Sequence, residues 1–225
     1  MSNSLNRFDR LYMTPFLILC EGKDAQLFII EYLNSTPLMD DPRFSNDILV
    51  LDFGGINQLT NFLIGLRNMD GYENVKSILI IRDAEKDADS AIKSIKSSLY
   101  NSSLPIPDTC NIWQKENDIS ICYTLFPTCS SEMRNGTLED LCIAIIFDNY
   151  LKEKEQDIDG FISSFIDKYE VKYPRIHKNR IHLYFSSTNE YVGMKIGEAA
   201  KVGAYDWASP LLNSLKHPIE SGFEQ

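Results

Sequence analysis

The chain has 225 residues, 44% hydrophobic and 24% charged, with a formal net charge of −10. That length holds one large domain, or one domain with a small helical addition, of a soluble globular class. The negative balance opposes a general salt-driven affinity for nucleic acid, and no apolar run approaches the ~20 residues a membrane span needs.

The stretch Met1 to Arg10 is polar and lacks the apolar core of a signal peptide, so a cytoplasmic location and no membrane partner are expected. Thr14 to Cys20 reads as a first strand, and Ala25, Phe28, Ile29, Tyr32 and Leu33 follow it at helical spacing. Pro37 to Asn46 reads as a loop. Asp47 to Phe53 is a second strand, with Gly54-Gly55 marking a sharp exit, and Leu59, Phe62, Leu63 and Leu66 make the next helical stripe. Val75 to Arg82 is a third strand, followed by a helix over Ala88, Ala91, Ile92, Ile95 and Leu99. Strand and helix alternating with short turns predicts a parallel sheet with right-handed crossovers. The continuous apolar runs predict helices on both faces.

Asn101 to Thr109 is a Ser/Pro-rich connection, Ile119 to Phe126 a fourth strand ended by Pro127, and Cys129 to Gly136 a polar loop. From Thr137 the pattern is helical. Leu138, Leu141, Cys142 and Ile145 form one face, a second helix is expected over Asp157 to Tyr169, and others near His177, near Tyr191 and over about Trp207 to Leu215. The expected organisation is one domain over 1–225: an α/β core at 11–130 and a helical extension at 131–225 packed on it. The five cysteines (Cys20, Cys110, Cys122, Cys129, Cys142) form no C-x-x-C pair and are expected to be reduced structural thiols. His177 and His182 are five apart, which does not suit one helix face, so no zinc set is read.

Two apolar runs end in acids. Phe16-Leu17-Ile18-Leu19-Cys20 leads into Glu21-Gly22-Lys23-Asp24, and Ile78-Leu79-Ile80-Ile81 into Arg82-Asp83-Ala84-Glu85-Lys86-Asp87. In an open α/β sheet, ligands bind in the crevice beyond the carboxyl ends of the strands. Carboxylates gathered there repel unless a cation sits among them. Hard oxygen donors at this density favour Mg²⁺ or Mn²⁺. The candidate metal ligands are Glu21, Asp24, Asp83, Glu85, Asp87 and Glu139. Asp83 and Glu85 alternate, so an extended chain turns both to one side. For Asp24 and Asp87 a helix N-terminus is the competing explanation. Thr137 with Asp140 resembles a capping box, which accounts for Asp140 and leaves Glu139 free for a ligand's role. Gly22, Lys23, Gly54 and Gly55 are candidates to let a phosphate approach the backbone. Arg175, Lys178 and Arg180 lie in a stretch without acids and are candidate nucleic-acid contacts, with a solvated helix face as the plain alternative. There is no G-x-x-x-x-G-K-[ST] loop.

A Glu-Gly after the first strand and an acid-x-acid pair after the third resemble the Toprim fold of topoisomerases, primases and the overcoming-lysogenization-defect (OLD) nucleases. The chain is most similar to small stand-alone Toprim-related proteins of unassigned function. That resemblance continues through Gly136-Thr137-Leu138-Glu139-Asp140-Leu141-Cys142, His177-Lys178-Asn179-Arg180-Ile181-His182, Gly197-Glu198-Ala199-Ala200 and Tyr205-Asp206-Trp207. It implies a Toprim-like central parallel sheet flanked by helices, with a helix-rich C-terminal half. By the same resemblance Glu21 and Asp83 bind a metal, Glu85 stands where the usual form has Asp, Glu139 serves a second metal and Lys178 is a late catalytic lysine. The implied activity is Mg²⁺- or Mn²⁺-dependent hydrolysis of DNA or RNA with one or two ions, in a protein that works with an ATPase partner in phage defence or as a homo-oligomer. The alternatives weighed are an inactive module binding a nucleotide or protein, and a phosphatase or receiver-like domain using Asp83 as phosphoacceptor.

Overall fold

The computed structural model describes residues 11, 14–37, 47–129, 134–147, 152–173 and 175–225. Most of the Pro37 to Asn46 loop, part of the Cys129 to Gly136 loop and the residues before Leu11 lie outside them. The chain runs β1 (Phe16–Cys20), α1 (Lys23–Ser35), β2 (Ile48–Asp52), α2 (Leu59–Arg67), β3 (Ser77–Asp83), α3 (Ala88–Asn101), β4 (Gln114–Glu116) and β5 (Ile119–Phe126). Helices follow: α4 (Leu138–Phe147), α5 (Lys152–Tyr169), α6 (Ile176–Ser186), α7 (Ile196–Lys201) and α8 (Asn213–Ser221), the last flanked by single 3₁₀ turns.

The strand order is β2-β1-β3-β5-β4. β1, β2, β3 and β5 pair in parallel, and β4 closes the edge antiparallel to β5. β4 has no apolar pattern, since Gln-Lys-Glu sits on an exposed edge, and sequence periodicity gives no sign of it. Alternation divides the strand side chains between two cores. Phe16, Ile18, Val50, Leu79, Ile81 and Phe126 face α1 and helices α4, α6, α7 and α8. Leu17, Leu19, Leu51, Ile78, Ile80 and Leu125 face α2 and α3. Both faces are therefore dry, which is why these strands read as unbroken apolar runs.

α1 and α3 leave the sheet on opposite faces, so the chain diverges between β1 and β3. That divergence makes the crevice at the carboxyl ends of β1 and β3 a topological switch point. The helical half packs on the α1 face. Trp207 and Tyr205 lie edge-on to Phe28, at centroid distances of 5.1 and 5.4 Å, so the Tyr205-Asp206-Trp207 motif is a docking element for α1.

The chain's end is locked to β1 by a close approach. A Cβ placed on Gly222 would stand 2.6 Å from Phe16 Cζ and 2.8 Å from Trp113 Cζ2. Gly222→Ala is expected to destabilise the protein by about 1–3 kcal/mol through overpacking. A lowered denaturant midpoint with unchanged slope is the predicted observation.

One expectation is corrected. Cys110 and Cys129 form a disulfide with Cα atoms 6.3 Å apart, while Cys20, Cys122 and Cys142 are free and buried. The Asn111 N–H bonds to Tyr123 O (2.9 Å), which lays the 110 segment along β5 and brings the two sulfurs together. A spacing of 19 residues gives no local cue to that pairing. No helix among the described residues is long and apolar enough to cross a membrane.

Candidate functional site

Three acidic residues stand at the carboxyl edge of the sheet. Glu21 follows β1, Asp52 ends β2 and Asp83 ends β3. The Glu21 N–H continues the parallel ladder to Ile81 O (3.0 Å), which fixes Glu21 beside β3. Gly22 then turns at φ 89°, a conformation that a residue with a Cβ adopts only under strain.

Asp52 was not singled out by sequence, although the Ile48-Leu49-Val50-Leu51 run ends in an acid as the other two do. Its Oδ1 accepts from the Gly22 N–H (3.0 Å) and the Gly54 N–H (2.7 Å). The two glycine amides read as phosphate contacts thus already hold a carboxylate. Lys23 is turned along its own helix, donating to Gln26 Oε1 at 2.6 Å. Gly55 is exposed at the start of the α2 turn.

Period two along β3 sends its last two side chains to opposite faces. Arg82 points to the α3 side, where Nη1 donates to Ala91 O (3.3 Å). Its Nε lies 3.3 Å from Glu21 Oε2, with the two side chains 3% and 17% exposed. The contact is an ion pair, and neither atom has a hydrogen-bond partner. Burial raises the Glu21 carboxyl above its ordinary value, and the opposing Arg82 charge does not cancel it. Arg82, like Asp52, is not marked by a local sequence signal. An arginine inside an apolar run must find a partner when buried.

Asp83 points to the α4 side and accepts the Leu138 N–H at 2.9 Å. Burial pushes its carboxyl up to about 8, and the nearby charges of Glu139, Glu21 and Glu85 act in the same direction. Glu85 departs from the extended-chain expectation. The strand ends at Asp83, and Glu85 adopts φ 56°, held by a pair of 2.7 Å backbone bonds to Gly136. A non-glycine residue in the left-handed region is strained and persists only where its surroundings fix it. The bridge ties the acid loop after β3 to the loop before α4.

That second loop delivers Glu139. The Asp140 carboxylate accepts from Thr137 N–H (2.8 Å) and Oγ1 (3.0 Å), reaching back to the residue before the helix as a capping box does. Glu139 is buried, and Lys178 Nζ from α6 lies 2.9 Å from its Oε1. Burial alone would raise the Glu139 carboxyl, but the hydrogen bond and charge of Lys178 outweigh it and hold the group below its usual range. In the Lys178→Met protein Glu139 is expected to titrate at higher pH. Carbon-13 NMR of the metal-free protein checks this, and an unmoved titration would show that Lys178 is not what holds it.

The remaining candidates lie elsewhere. Asp24 Oδ1 accepts from Gly197 N–H (3.3 Å) at the start of α7. A Cβ on Gly197 would meet Leu27 at 2.6 Å, so the Gly197-Glu198-Ala199-Ala200 motif serves close packing on α1. Asp87 caps α3, accepting from Asp89 N–H, Ser90 N–H and Ser90 Oγ (2.6 Å), and the Ser90 hydroxyl bond lowers its carboxyl. Arg180 is bound by α5, with Nε to Asp159 Oδ1 and Nη2 to Glu155 Oε1, both at 2.7 Å. Arg175 is exposed at the start of α6.

The site therefore gathers Glu21, Asp83, Glu85 and Glu139 against Arg82 and Lys178. Its donors are all oxygens, which fits a hard divalent ion, although Glu21 Oε2 already faces Arg82 Nε at 3.3 Å. Among the described residues no three acids stand together at ligating distance.

A family model described as a protein of unknown function (DUF3226) matches residues 15–224. No curated protein matches the chain. Among solved structures, the chain is similar to the C-terminal region of the OLD protein of Xanthomonas campestris pv. campestris. The TM-score is 0.45 and the identity 14%, over 92% of this chain and 95% of that one.

Proposed function

We propose, for a chain that belongs to the DUF3226 family of proteins of unknown function, metal-dependent hydrolysis of phosphodiester bonds in DNA or RNA at this acid edge, as in a Toprim nuclease. The observation that carries the reading is the excess of carboxylate at the switch point. Asp83 has its carboxyl pushed up to about 8, with Glu139, Glu21 and Glu85 all adding to the effect of burial. Such an arrangement is relieved by a proton on Asp83 or by a cation bound among the carboxylates. The order of motifs that resembles the Toprim nucleases supports the same chemistry.

Glu21 and Asp83 would hold one Mg²⁺ or Mn²⁺, with Glu85 beside them, and Glu139 would serve a second. A divalent ion supplies Lewis-acid polarisation of the phosphoryl oxygen and a more acidic bound water. Arg82 keeps Glu21 in place from the α3 side. Lys178 orients Glu139 through their 2.9 Å ion pair, and its ammonium would offset charge developing on a phosphoryl group. A net charge of −10 fits a protein brought to nucleic acid by a partner, so an ATPase partner and an effector's role in phage defence belong to this proposal.

A second reading, a module that binds a nucleotide or protein without cleaving, is favoured by the groups already occupied. Asp52 holds the Gly22 and Gly54 amides, and Lys178 holds Glu139. Incubation of plasmid DNA, single strands and tRNA with Mg²⁺ or Mn²⁺ separates the two. Cleavage that disappears in Glu21→Gln and Asp83→Asn supports the nuclease. Cleavage unchanged in both would sink it, and no cleavage of any substrate selects the module.

A further inference from the structure

α5 is 18 residues long, and Ile162 is its one buried residue. Helix stability in water comes mostly from packing an amphipathic face. α5 packs on α6 and has more of such a face than this contact covers. Ile158, Phe161, Ile162, Phe165, Ile166 and Tyr169 follow helical spacing. Ile158 packs on the core, whereas Phe161, Phe165 and Tyr169 are 50%, 37% and 55% exposed. Their rings run along one side of the helix, with successive centroids 4.8 and 5.2 Å apart. A groove of about 310 Å³ lies alongside, where Tyr173, His182 and Leu183 join Phe161 and Phe165. A contiguous exposed apolar surface of this kind marks an interaction site.

The side chains around the rings indicate what covers them. Asp157, Phe161, Phe165 and Tyr169 form one row at four-residue spacing, and Gln156, Gly160, Ser164 and Lys168 form the row beside it. A ridge of large rings thus lies next to a groove floored by small residues. A Cβ on Gly160 would meet nothing within 4 Å, so the space above it is open. Asp157 and Lys168 are both exposed, one at each end of the aromatic row. Lys168 Nζ lies over the Tyr169 ring, 5.1 Å from its centroid, which keeps the ammonium on this face.

We propose that this face binds the same face of a second copy of the chain, the two α5 helices running antiparallel about a two-fold axis. A two-fold contact pairs residue i with j and j with i. With the axis between Ile162 and Ser163, Phe165 of each copy stands over Gly160 of the other and Phe161 over Ser164. The ridge of one helix then fills the groove of the other. The same register sets Asp157 against Lys168 twice. A parallel pair would set Asp157 against Asp157 and Lys168 against Lys168, so charge selects the antiparallel one. The helix is about 27 Å long and about 10 Å wide, less than the ~800 Å² per partner of a standard interface. A dissociation constant of roughly micromolar order is expected. The contact does not depend on the chemistry of the acid edge.

The test is sedimentation equilibrium of the full chain over a micromolar concentration series, for wild type, Gly160→Leu, Asp157→Lys, Lys168→Asp and the double variant Asp157→Lys/Lys168→Asp. Gly160→Leu enters open space in one copy and favours the helix, so the fold is retained while the seat for the second copy's Phe165 is filled. Circular dichroism checks that each variant keeps the wild-type fold. The expected result is a monomer–dimer equilibrium in wild type, weakened at least about tenfold in Gly160→Leu and in each single charge reversal. The double reversal restores it, which a merely structural role of either residue would not do. A wild type that is monomeric at every concentration overturns the proposal and leaves the face to a different partner. A dimer that all four variants form equally well also overturns it, because the copies then meet through another surface.

Discussion

Asp83→Asn is expected to cut divalent-dependent cleavage by about 10²–10³-fold while making the metal-free protein more stable above neutral pH. Both effects come from one carboxyl. Its proton affinity is raised to about 8 in the fold, against an ordinary value of 3.8. Between those values the folded protein binds a proton that the unfolded chain does not. Stability from this group is therefore complete below the unfolded value and is lost as pH rises through the folded one, with a slope of up to about 1.4 kcal/mol per pH unit. Asn keeps the shape and the oxygen that accepts from Leu138 N–H but carries no charge to desolvate. Denaturant midpoints in EDTA from pH 4 to 9 should show wild type falling relative to the variant. Parallel pH profiles for the two proteins would mean that Asp83 is not the strained group.

Arg82→Met is expected to cost about 3 kcal/mol in metal-free protein, the largest loss from a single side chain of the site. The guanidinium faces the buried Glu21 Oε2 at 3.3 Å, and its removal leaves that carboxylate without an opposite charge. Glu21 is already raised above its ordinary value with Arg82 present, so the arginine meets only part of the need. Two further results follow. The double variant Glu21→Gln/Arg82→Met should recover much of the loss, because the uncompensated charge is gone. Mg²⁺ should raise the melting temperature of Arg82→Met more than that of wild type. A variant as stable as wild type, with the same response to Mg²⁺, would remove Arg82 from the account.

The parts legible in the sequence are those with a local signature. β1, β2, β3 and β5 announced themselves because helices dry both faces of the sheet, and the turns after β1 and β3 exposed Glu21 and Asp83 as acids at strand ends. Asp140 was readable as a cap because its partner Thr137 is three residues away. What stayed hidden is non-local. Arg82 meets Glu21 from another strand, Asp52 collects amides from two turns, and Cys110 finds Cys129 across β5. Extended chain does not continue to Glu85, because the bridge to Gly136 turns it into the left-handed region. The basic stretch around Arg180 carried no acids in sequence, but α5 brings Glu155 and Asp159 onto it.

Calorimetric titration of Mn²⁺ into the metal-free wild-type, Glu21→Gln and Asp83→Asn proteins decides whether the acid edge holds a divalent ion. Saturable binding to wild type is expected, weakened at least about tenfold in each variant. Equal binding in all three proteins, or none in wild type, would contradict it.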